Sequence, residues 1–149
     1  MKKRRRQRDS EIGTILVPTD FSNASKQALK HALNLTHDPR RVLLLHVIPP
    51  PLPQTRPEMQ RLIKDARSRL VSFSKDGADH PIESLVAAGT PFQEILAVAK
   101  KKNTALIVLG INSSINGDIG YTAERVSRYA KCAVLLLRED ETISVGSAS

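Results

Sequence analysis

From Thr14 onward, short apolar runs alternate with longer segments whose apolar residues recur at helical spacing. Ile15-Leu16-Val17 form the first run, closed by Pro18. Beyond Ser22, a predicted N-cap, Ala28, Leu29, Ala32 and Leu33 share one helical face at i, i+4 spacing. Val42 to Ile48 is almost continuously hydrophobic, the pattern of a strand covered on both faces in a parallel sheet. Pro49, Pro50, Pro51, Pro53 and Pro57 then fit neither helix interior nor sheet ladder and predict a stiff polyproline spacer inside one domain. Met59, Leu62, Ile63, Ala66, Leu70 and Phe73 mark a second amphipathic helix. Ile82 to Ala87 carries Glu83 and Ser84 and reads as an edge strand. In Thr90-Pro91-Phe92-Gln93 the hydroxyl caps, proline suits the first helical position and Gln93 completes a capping box, with Ile95, Leu96 and Ala99 turned inward. Ala105 to Leu109 is another buried-type strand. A polar loop from Gly110 to Gly120 leads to a fourth helix through Ala123, Val126 and Ala130, and Ala133 to Leu137 is the last strand.

This alternation predicts an α/β fold, an open five-stranded parallel sheet with helices on both faces joined by right-handed crossovers. In such sheets a ligand sits beyond the carboxyl ends of the strands, where the winding reverses. Three segments qualify: Pro18-Thr19-Asp20, His46-Val47, and Gly110 to Thr122.

The 149 residues permit one core burying roughly 70% of the unfolded surface. Their formal charge of +8 is unevenly placed. Lys2, Lys3, Arg4, Arg5, Arg6 and Arg8 leave 17 basic against 15 acidic residues in 9–149, a nearly neutral remainder of +2. Residues 1–11 are therefore expected to be a basic tail, 12–138 the domain, and 139–149 a polar C-terminal tail. Five scattered aromatics and no Trp offer no stacking platform for nucleic acid, so association with nucleic acid or an anionic membrane would fall to the tail. A single cysteine, Cys132, excludes an internal disulfide and a cysteine-based zinc site and fits a reducing compartment. No apolar run reaches the roughly 20 residues of a membrane span.

Asp20 follows a strand and precedes a helix, which suits either a helix cap or a carboxylate that accepts hydrogen bonds from a ribose or base. The Gly110 to Gly120 segment is rich in Gly, Asn, Ser and Asp, and Tyr121-Thr122 opens a helix whose amides would suit an anion; an ordinary surface loop has the same composition. Arg125 and Arg128 are either phosphate partners or surface charges. His31, His37, His46 and His80 stand at unrelated positions, and neither a P-loop, a dinucleotide fingerprint nor a nucleophile elbow is present.

Ile15-Leu16-Val17-Pro18-Thr19-Asp20-Phe21-Ser22, Leu44-Leu45-His46-Val47, Gly89-Thr90-Pro91, Leu106-Ile107-Val108-Leu109-Gly110 and Ala123-Glu124-Arg125-Val126 resemble the universal stress protein family over residues 12 to 138. The resemblance implies strand order 3-2-1-4-5, a Rossmann-like sheet of the adenine nucleotide alpha hydrolase type, and a cytoplasmic stress-response module. It also implies a homodimer paired through the last strand, Ala133 to Leu137. Many members bind ATP through Gly, two residues, Gly, nine residues, Gly and then Ser or Thr. Gly110 and Gly120 match its outer glycines, but Ser113 replaces the middle one and Tyr121 the small hydroxyl. The two glycines stand ten positions apart instead of thirteen. The site implied by the resemblance comprises Pro18, Thr19, Asp20, Val47, Leu109, Gly110, Ser113, Gly120, Tyr121 and Thr122.

Two functions are therefore expected to compete. One is a binding and signalling module that holds ATP or AMP with Mg²⁺, weakly for ATP because the loop is short and altered. The other is a slow Mg-dependent ATPase or nucleotide-dependent phosphate transfer in the same cleft, using Asp20 and the Gly110 to Thr122 loop.

Overall fold

In the computed structural model, which describes residues 13–112 and 119–139, five parallel strands form one sheet. The chain runs β1 (Thr14–Pro18), α1 (Asn23–Asn34), a 3₁₀ turn (Pro39–Arg41), β2 (Val42–Ile48), α2 (Arg56–Gly77), β3 (Glu83–Ala88), α3 (Pro91–Lys101), β4 (Thr104–Ile111), α4 (Tyr121–Tyr129) and β5 (Ala133–Arg138). Strand order is β3-β2-β1-β4-β5, so the winding reverses between β1 and β4. The sequence patterns anticipate all nine strands and helices; the 3₁₀ turn, capped by Asp38, is additional.

The core lies on both faces of the sheet because alternate residues of the central strands point opposite ways. Ile15, Val17, Val42, Leu44 and Val108 meet Ala28, Leu29 and Ala32 of α1 with Leu70 and Phe73 of α2. Leu16, Leu43, Leu45, Ile107 and Leu109 meet Ile95 and Ala99 of α3 with Ala123 and Val126 of α4. Each large side chain buried this way contributes about 1.5–3 kcal/mol relative to exposure, which is why β1, β2 and β4 read as unbroken apolar runs. β3 and β5 form the two edges and are only half-buried. Among the described residues no helix is long and apolar enough to cross a membrane.

Two helix starts differ from expectation. The proline cluster is not all spacer: Thr55 caps α2 by accepting the Glu58 N–H at 3.3 Å, and Pro57 lies in the first turn, where its missing N–H costs nothing. Thr90 occupies the N-cap of α3 with Pro91 after it, but its hydroxyl makes no capping bond, so the expected capping box is not built. Ser22 does cap α1, accepting the Ser25 N–H at 3.2 Å.

Candidate functional site

β1 ends in a polar turn wired to three other elements. The Thr19 N–H donates to the Leu45 carbonyl of β2 at 2.7 Å, carrying the ladder one residue past the strand. The Thr19 carbonyl accepts from His46 Nδ1 at 2.8 Å, which requires the proton of that ring to sit on Nδ1. The Thr19 hydroxyl, in a residue only 6% exposed, lies 2.8 Å from Ser25 Oγ. Because Ser25 donates its own proton to the Ser22 carbonyl at 2.9 Å, Thr19 is the donor of that pair. Its oxygen in turn accepts the Phe21 N–H at 2.8 Å. Every polar atom of Thr19 is thus satisfied inside the fold, as burial demands.

Asp20 is held by this frame. Its Oδ1 accepts the Ser22 N–H at 3.0 Å and lies 3.4 Å from Ser25 Oγ, while the carboxylate remains exposed. The alternatives for Asp20 are therefore not exclusive: Ser22 caps the helix, and Asp20 braces the turn while facing outward.

That turn forms one wall of a cavity of about 490 Å³ at the carboxyl ends of β1, β2 and β4. Pro18, Thr19, Asp20, Val47, Leu109, Gly110, Gly120, Tyr121 and Thr122 all line it, so nine of the ten sequence-predicted residues come together at the winding reversal; Ser113 lies outside the described residues. Most of the remaining wall is apolar, from Leu45, Pro49, Pro91, Ile95, Ile111 and Ile119. Sequence reasoning missed these, together with Ser25. The Ser22 and Ser25 spacing was the available signal, since residues three apart share a face in the first turn of a helix.

The two glycines serve different ends. A Cβ on Gly110 would lie 2.2 Å from the Ala24 carbonyl oxygen and 2.8 Å from the Ser25 nitrogen, so glycine is required here by the backbone of α1. Gly120 has φ +89 with open space around it, and is required by conformation alone. It opens α4 without any side-chain capping bond.

No Lys or Arg lines the cavity among the described residues. Arg125 and Arg128 both pair with Glu124, and the Arg125 guanidinium stacks 4.9 Å from the Tyr121 ring and 5.9 Å from Phe92. They behave as surface charges. The described residues hold no group of three or more metal-ligating side chains. Burial pushes the Cys132 thiol above its ordinary pKa, as suits a packed and unreactive side chain.

The architecture and the winding-reversal cavity have clear counterparts. A model of the universal stress protein family matches residues 11–138. A universal stress protein of Methanocaldococcus jannaschii is 28% identical over 138 residues, spanning 84% of this chain and 81% of its own. Among solved structures, the universal stress protein UspA from Lactobacillus plantarum is 25% identical, with 87% of this chain and 99% of that one covered at a TM-score of 0.62. A universal stress protein family protein from Arabidopsis thaliana with AMP bound shares the fold at 16% identity, 88% and 94% coverage and a TM-score of 0.60. With the strand order matching and the family model covering nearly every described residue, the chain belongs to the universal stress protein family.

Proposed function

We propose that this chain is a stress-response binding and signalling module that takes an adenine nucleotide, AMP foremost, in the cavity between β1 and β4. Its output is occupancy and not turnover. The observation that carries the reading is the cavity itself: about 490 Å³, largely apolar, with the Asp20 carboxylate fixed at its rim. Apolar walls suit a purine, and a carboxylate that accepts hydrogen bonds suits ribose hydroxyls. AMP bound in a protein of the same fold supports the choice. Calorimetric titration of the full chain with AMP tests it. Binding in the micromolar to millimolar range is expected, with at least a tenfold loss in Asp20→Ala, or about 1.4 kcal/mol. Circular dichroism of the variant controls for the brace that Asp20 gives α1. No heat at millimolar AMP would dispose of the reading.

The open β5 edge supports pairing of two copies. Val134 to Leu137 are half-buried in the single chain, and an apolar edge with unpaired backbone groups is a template for another strand. Sedimentation at micromolar concentration should give twice 16.4 kDa; a species of 16.4 kDa alone would end this proposal.

A further inference from the structure

We infer that the cavity discriminates against phosphate chains, preferring the nucleoside end of its ligand, and that Tyr121 is the residue that sets this preference. The inference rests on the adenine-nucleotide reading above and narrows its ligand class to adenosine and its monophosphate.

The first support is the charge facing the cavity. Among the described lining residues, the sole carboxylate is Asp20 and no lysine or arginine is present. Two hydroxyls that could greet a phosphate, those of Thr19 and Ser25, are engaged with each other and with the turn. The cations that approach most closely along α4 are turned away, because Arg125 and Arg128 share Glu124. A polyphosphate entering here meets like charge and finds no cation among these residues to offset it, whereas a neutral ribose and base meet an acceptor and apolar walls.

The second support is Tyr121. It is the first residue of α4, lines the cavity and is 62% exposed, which places it at the mouth. Its ring is fixed from two sides, edge-on to Phe92 at a centroid distance of 5.7 Å and beneath the Arg125 guanidinium at 4.9 Å. Such aromatic and cation–π contacts each hold a side chain by roughly 0.5–1.5 kcal/mol, so the ring does not swing aside freely. Behind it lies the first turn of α4, which carries no side-chain cap. A small side chain at this position would leave those amides open to the solvent side of the cavity; the braced ring stands in their place.

Calorimetric titrations of the full chain with adenosine, AMP and magnesium-free ATP, in the parent, Tyr121→Ser and Tyr121→Phe, test this directly. In the parent, adenosine should bind at least as tightly as AMP and at least tenfold more tightly than ATP. Tyr121→Ser should cut the adenosine-to-ATP gap to under threefold while leaving adenosine within twofold. Tyr121→Phe, which keeps the ring, should behave as the parent. ATP binding as tight as adenosine in the parent would overturn the inference and leave the nucleotide reading standing. Loss of adenosine in Tyr121→Ser by as much as ATP would overturn it too, making the ring a stacking platform. Binding of none of the three ligands would overturn both readings.

Discussion

Gly110→Ala separates two reasons for a glycine that sequence alone confounds. The added Cβ would sit 2.2 Å from the Ala24 carbonyl oxygen, 2.4 Å from its carbon and 2.8 Å from the Ser25 nitrogen. Ordinary contacts begin at about 3.5 Å, so α1 must retreat from β4 by on the order of 1 Å. The obstacle is backbone, which has no rotamer to change. The cost should therefore lie at the upper end of overpacking, about 3 kcal/mol. For a domain of this size that corresponds to a fall in melting temperature of roughly 10 °C. Retreat of α1 would also pull Ser22 and Ser25 away from Asp20 and weaken AMP binding. Scanning calorimetry with and without AMP measures both effects. A melting temperature within about 2 °C of the parent, coupled to lost AMP binding, would refute the packing argument and return Gly110 to the ligand.

Three further outcomes are expected. Ser22→Ala should cost about 1 kcal/mol in urea unfolding because it removes the α1 cap, while Thr90→Ala should stay within about 0.5 kcal/mol because its hydroxyl caps nothing; equal costs would show the capping assignment to be wrong. Asp38 has its pKa lowered below 3.8, chiefly by the side-chain hydrogen bond from Arg40 and then by the Arg40 N–H. A depressed carboxylate stabilises above its unfolded pKa and loses that contribution as pH falls through the folded value. Asp38→Asn, which can still cap the 3₁₀ turn, should thus be slightly less stable at pH 7 with the gap closing below pH 3.8, and a gap that persists or widens in acid contradicts this. Cys132, its thiol pKa raised by burial, should react with iodoacetamide at pH 7.5 several-fold more slowly than an exposed free cysteine; an equal or faster rate would count against burial.

The strands were legible because a strand buried on both faces has no polar alternation to obscure it, as Val42 to Ile48 shows. Asp20 and Tyr121 were legible for a topological reason: residues that follow a strand or open a helix at the winding reversal must face the same crevice. What escaped was long-range or orientational. The need for glycine at position 110 comes from Ala24, 86 residues earlier, and no local pattern reports such an approach. Thr90 has the residue type and position of a cap, but which way its hydroxyl points is set by the tertiary surroundings and not by spacing.

The turn after β1 bears on why occupancy is the output proposed for this fold. Phe21 is held at φ +66, a left-handed conformation that costs a bulky residue roughly 1–2 kcal/mol. That cost is met by contacts from separate elements: the Thr19 hydroxyl on its N–H, the His46 ring at 4.5 Å, the Phe73 ring at 5.8 Å and the Arg69 guanidinium at 4.0 Å. The strained residue sends its own ring toward α2 and leaves its neighbour Asp20 facing the cavity. A ligand therefore meets a carboxylate whose backbone is already fixed by β1, α1, β2 and α2, and need not supply the entropy of ordering it. The same wiring joins the cavity wall to α2, since Phe21 touches Arg69 and Phe73 there while Thr19 and Asp20 line the site. A contact made at Asp20 is thus one residue away from the surface of another helix, which is the connection that a module acting through occupancy requires.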